Sequence, residues 1–138
     1  MPAKKTTLRK EARQRQPQPA ISEEMKAWST ALVTETADWP HISQRSFFGF
    51  TALYRREKIF ALLPRSRNLE SANTIAFKIE SPATSLRERL RSDGRVGSMQ
   101  HENARWFTFL ISSNADLHEA LDWLGQAYEA ARKVRKAK

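Results

Sequence analysis

The clearest hydrophobic pattern lies near the end of the chain. In "SSNADLHEALDWLGQAYEAARKVRK", apolar residues recur every three or four positions at Leu117, Ala120, Leu121, Leu124, Tyr128 and Ala131. That is the period of a helix with one buried face. Ser113 is placed to cap it and Asp116 falls three residues on, a capping box with Asp in place of Glu. Basic residues fill the last turns, where the negative end of the helix dipole favours them. A second helix is predicted from Ser22, its N-cap, with Glu23 and Glu24 at the positive end of the dipole and Met25, Trp28, Ala31 and Leu32 toward one face. Pro40 excludes a helical Trp39 and ends it.

Between these helices the pattern shortens to that of strands. In "RSFFGFTALYRREKIFALLP" a strand is predicted over 44–54, with Phe48, Phe50, Ala52 and Tyr54 on one face and Phe47, Thr51 and Leu53 on the other. Apolar residues on both faces predict cover on both sides for part of its length. Gly49, inside that run, is expected to form a bulge or to lie close under another element. "RRE" makes a polar turn, and "KIFALL" returns as a second strand that Pro64 stops. Thr74–Ile79 and Trp106–Ile111 are further strands by their β propensity. Ser81-Pro82 reads as the N-cap and first residue of a short helix carrying Leu86 and Leu90. "RSDGRVGSMQHENAR" is expected to be a loop. The expected fold is α+β, an antiparallel sheet of four to five strands flanked by N-terminal and C-terminal helices. Phe48, Phe60, Phe77, Phe109, Leu121 and Leu124 are its expected core.

Composition divides the 138 residues into a body and two ends. The net charge is +9. Residues 1–20 hold six Lys/Arg against one acid, and residues 132–138 hold five against none. The middle, 21–131, is left with thirteen basic and fourteen acidic residues. The expectation is a disordered basic arm over 1–21, one domain over 22–131 and a basic tail over 132–138. The absence of cysteine excludes disulfides and thiolate metal sites and fits a reducing compartment. No apolar run approaches the roughly 20 residues of a membrane span. The basic N-terminus lacks the apolar segment of a secretory signal. A cytoplasmic protein with no membrane partner is expected.

Catalytic chemistry finds little to stand on. No G-x-S-x-G, phosphate loop or dinucleotide fingerprint occurs. The three histidines, His41, His101 and His118, lack the spacing of metal ligands on a helix, and no cofactor is expected. Two sets of residues merit attention. Lys4, Lys5, Arg9, Lys10, Arg13 and Arg15, with Arg132, Lys133, Arg135 and Lys136, could neutralise phosphates of a nucleic acid, or serve only as solvated ends. Arg87, Arg91 and Arg95 are the cations of the body considered for the same contact. His101, Glu102 and Arg105 belong to the 92–105 loop, where a ligand site would meet the sheet.

The motif running through Arg45, Phe48, Gly49, Phe60, Ala61, Leu62, Phe77 and Lys78 resembles the N-terminal domain of TfoX-type proteins. The Trp-led strand and Tyr-bearing helix that follow are similar to the YjbR/MmcQ-like family. Phe47 stands where TfoX-type domains usually carry Met, and their second glycine is missing. The resemblance covers roughly residues 22–131. It implies a compact α+β domain associated with competence regulation and a DNA-binding-like fold, with Arg45 and Lys78 as family-like polar positions, and it does not imply an enzyme. The functional expectation is a non-enzymatic regulatory or adaptor domain whose partner is protein or nucleic acid, the latter held weakly by the basic ends. The alternative is a small-ligand or catalytic domain with its site at the 92–105 loop. The oligomeric state is not legible.

Overall fold

Ser22 opens the first helix as expected: its Oγ accepts a hydrogen bond from Met25 N at 3.0 Å, satisfying one amide that the helix cannot. The structure, a computed structural model, describes residues 21–69, 71–98 and 105–132. Helix α1 spans Glu23–Thr36 and buries Met25, Trp28 and Leu32. Six strands follow: β1 (Ile42–Phe47), β2 (Phe50–Arg55), β3 (Lys58–Pro64), β4 (Thr74–Lys78), β5 (Val96–Ser98) and β6 (Trp106–Leu110). Helix α2 (Thr84–Ser92) lies between β4 and β5, and a 3-10 turn, Asn114–Asp116, leads into α3 (Leu117–Arg132).

The strands form one antiparallel sheet in the order β1-β2-β3-β4-β6-β5. The α+β class is as expected, with one to two strands more than the sequence suggested. Both additions come from turns the sequence hides. The run 44–54 is two strands, not one, because the chain reverses at Phe48-Gly49. Both residues have positive φ, 49° and 90°, the mirror-image turn whose twist matches that of a hairpin. Asparagine is the usual residue at the first of these positions, so phenylalanine there masks the signal. In the 92–105 loop, Val96–Ser98 pairs with β6.

Register assigns every strand residue to a face. Leu53, Ala61, Phe77 and Phe107 are cross-strand neighbours, as are Ile75, Phe109 and Val96. These join the main core with residues from all three helices: Trp28 and Leu32, Leu90, and Trp123 and Leu124. Phe77 stacks on Trp123, the centroids 5.5 Å apart and the planes at 18°. A register shift opposite Leu53/Tyr54 turns Phe60 inward, where it meets Tyr128 edge-on at 5.7 Å. The Tyr128 hydroxyl donates to Pro40 O at 2.7 Å, and Trp28 Nε1 donates to Asn114 Oδ1 at the same distance. All three helices therefore sit on one side of the sheet.

Five expectations need correction. Phe48 is not core; it is 75% exposed at the tip of the β1–β2 hairpin. Leu121 is only partly buried, while Trp123, off the leucine stripe, is fully buried and widens the helix's inner face. Ser81 does not cap α2: it has φ 51°, and the helix starts after Ala83 with no side-chain cap. Ser113 makes no side-chain cap either, but Asp116 reaches back to accept from Ser112 N at 2.8 Å, so half of the reciprocal arrangement exists. Ile21, placed with the arm by the sequence, is buried in the core.

Candidate nucleic-acid interface

The second face of the sheet carries none of the described helices. Its rows follow from the same register. One runs Arg45, Ala52, Leu62, Ala76, Thr108, Gly97. On either side lie Phe47 with Phe50 and Pro64, and Ser43 with Tyr54 and Ile59. Lys78 pairs with Trp106 and Thr74 with Leu110. The exposed large apolar residues among those described are Phe47, Phe48 and Leu110. Two of them are on this face and the third stands at its hairpin tip.

Arginines lie over the aromatics of this face. The Arg45 guanidinium is 4.7 Å from the Tyr54 centroid, and that of Arg67 is 5.7 Å from Phe50. A guanidinium held over a ring in this way can still offer N–H donors to an anion. Arg65 donates to Ser46 Oγ at 2.6 Å, and Arg67 to Phe48 O at 3.5 Å. The β3–β4 connection is tied to the tip through its backbone, because Arg65 N and Ser66 N both donate to Gly49 O. Among the described residues, no carboxylate pairs with Arg45, Arg65 or Arg67.

Charge in the body is unevenly distributed rather than absent. Segment 42–69 contains six Lys/Arg and one acid, Glu57, and the six strands contain no acid at all. Helices α1 and α3 carry Glu23, Glu24, Glu35, Glu119, Asp122 and Glu129 against Lys26 and Arg132. Summed over 21–131 these opposite charges cancel, leaving thirteen basic and fourteen acidic residues. The run without acids from Ile42 to Arg56 is the sequence signal of this basic stretch.

The other basic residues considered earlier are placed differently. Arg95 is held by Asp93 at 3.2 Å, Asp116 at 3.1 Å and Glu119 at 2.6 Å, and lies 4.9 Å over the Phe109 ring. Burial pushes the Asp93 carboxyl up, but the backbone amide and side chain of Arg95 outweigh it and hold it below the ordinary range. Asp116 is held low chiefly by the Ser112 amide, with the Ser113 amide and Arg95 adding to it against some burial. Arg95 thus ties β5 to α3, and a phosphate would have to displace three carboxylates. Arg91 pairs with Glu88 at 3.3 Å, and Arg87 donates to Pro82 O at 3.4 Å. Arg132 pairs with Glu129 at 3.4 Å and lines a shallow recess with His41, Arg55, Arg56 and Lys58. Lys4, Lys5, Arg9, Lys10, Arg13, Arg15, Lys133, Arg135 and Lys136 lie outside the described residues, as do His101 and Glu102.

Arg45 and Lys78 are considered with His101, Glu102 and Arg105 as residues of a ligand site; of these, the structure brings Lys78 and Arg105 together at Glu80, at 3.2 and 3.6 Å. The hydrogen bond from Lys78 leads the effects that lower the Glu80 pKa. Arg45 is not part of this group; it sits on β1, four strands from β6. Among the described residues no cluster of three His, Asp or Glu is arranged to hold a metal, and no helix is long and apolar enough to cross a membrane.

No family model, curated protein or solved structure matches this chain. The resemblance to TfoX-type and YjbR-like domains accordingly rests on the motif residues alone. In the fold the TfoX-like residues lie on the hairpin tip and on β1, β3 and β4, and the YjbR-like ones on β6 and α3.

Proposed function

We propose that this is a non-enzymatic nucleic-acid-binding domain of a regulatory or adaptor kind, with the arginine- and aromatic-bearing sheet face as its phosphate-binding surface. The observation that carries the reading is the set of three arginines, Arg45, Arg65 and Arg67, beside the exposed aromatics of a sheet whose strands contain no acid, none of the three paired with a carboxylate among the described residues. Arg45, Arg65 and Arg67 supply forked donors suited to phosphate oxygens. The basic ends add counterion release without fixing orientation.

The test is fluorescence anisotropy with a labelled oligonucleotide across a salt series, using the full chain. Replacing Arg45, Arg65 and Arg67 together by Gln should weaken binding and flatten the dependence of log K on log salt, by up to roughly 0.7 per single-strand phosphate contact removed. Neutralising the same number of cations in residues 1–20 should flatten the slope as well but leave a site that still saturates. If the triple variant binds like the parent, the face is not the interface.

A further inference from the structure

Phe48 combines two features that a stable hairpin would avoid. Its ring is 75% exposed, and its backbone has φ 49°, a region disfavoured for residues other than Gly, Asn and Asp. Asparagine followed by glycine is the favoured pair at this type of turn. The ring gains nothing from the core; its recorded ring contact is edge-on with Phe47 at 4.9 Å, itself 40% exposed. The main chain beneath is anchored from the other side, where the amides of Arg65 and Ser66 hold Gly49 O at 3.1 and 2.9 Å. The two rings therefore project from a fixed hairpin beside Arg65 and Arg67.

We propose that Phe47 and Phe48 form a base-stacking pair and that they make the sheet face select single-stranded over duplex nucleic acid. The inference rests on the nucleic-acid reading above. Charge complementarity names the occupant: a chain of phosphates meets Arg45, Arg65 and Arg67, while its unpaired bases offer flat π faces to the exposed rings. In a duplex those faces are taken up in stacking within the helix, so the rings have nothing to cover. The protein's own N-terminal segment, with six Lys/Arg to one acid, carries charge of the same sign as this surface and so complements it poorly. A second copy of this face complements it poorly for the same reason.

The experiment measures anisotropy of a fluorescein-labelled 20-nucleotide oligothymidine and of a 20-base-pair duplex with the full chain and its Phe48→Asn and Phe48→Tyr variants. The parent should bind oligothymidine more tightly than duplex. Phe48→Asn should weaken oligothymidine binding by about 5- to 150-fold, the range of one lost base stack, and change duplex binding less than about 2-fold. Phe48→Tyr, which keeps the ring, should retain binding. Urea denaturation should find Phe48→Asn as stable as the parent or more so, since it installs the favoured turn, and this separates lost binding from lost folding. Equal loss on both probes, or none on oligothymidine, overturns the stacking pair while leaving the phosphate-binding reading intact. A parent that binds neither probe overturns both.

Discussion

Replacing Gly49 by alanine tests how the β1–β2 hairpin tip is built. Its φ of 90° is open to glycine and strained for any L side chain, which costs about 1–2 kcal/mol. A Cβ would collide with Cγ and Cδ of Arg67 and approach Ser66 Oγ to 3.2 Å. Arg67 is a flexible side chain, so it would move rather than the backbone. In moving it would leave the Phe50 ring, a loss of about 0.5–1 kcal/mol for an exposed cation–π contact. Alanine also narrows the unfolded ensemble, which offsets about 0.4–1 kcal/mol. The net destabilisation is about 1–2 kcal/mol. Urea denaturation should show this as a midpoint lowered by about 1 M with an unchanged slope. In an Arg67→Ala background the cost should shrink by about 0.5–1 kcal/mol, because the displaced contact is already gone. A Gly49→Ala chain within about 0.5 kcal/mol of the parent would refute the turn geometry, and an additive double variant would refute the proximity of Arg67.

Phe60→Ala should cost about 3–5 kcal/mol in the same assay, since the ring is fully buried against Tyr128; a loss under about 1 kcal/mol would put Phe60 outside the core. Arg95→Gln should destabilise the protein at neutral pH and change its response to acid. The folded Asp93 and Asp116 pKa values are depressed, so their contribution is present above the ordinary carboxylate range and is lost as pH falls through the folded values. The stability gap between parent and variant should therefore close as pH falls from about 5 to 2, and a gap that stays constant would mean Arg95 acts through packing alone.

Legibility in the sequence followed the length and regularity of each element. Helices α1 and α3 announce themselves because their apolar residues hold one period over 14 and 16 residues and acids or bases match their ends. Strands β3, β4 and β6 are short apolar runs bounded by polar segments. The run around Gly49 misleads because alternation continues through the turn: Phe47 and Phe50 end up paired across the hairpin on one face, and Phe48 lies outside the pleat. Period-2 reasoning cannot see a two-residue reversal made by Phe-Gly. The bulge at Phe60 is likewise silent, since a fully apolar strand shows no break in alternation. Strand β5, with only three residues and one glycine, has no pattern of its own and exists because β6 offers a free edge. The basic character of 42–56 is present in the sequence as a stretch without acids. It vanishes in the sum over the body because the carboxylates of α1 and α3, distant in sequence, cancel it.

The central claim is that the sheet face, rather than the basic ends alone, receives the nucleic acid. Amide chemical-shift mapping of the full chain during titration with oligothymidine addresses it residue by residue. The account predicts the largest, saturable shifts at Arg45, Phe47, Phe48, Gly49 and Arg67, with little change along the outer surfaces of α1 and α3. Shifts confined to residues 1–20 and 133–138, with the hairpin and the face unmoved, would contradict it.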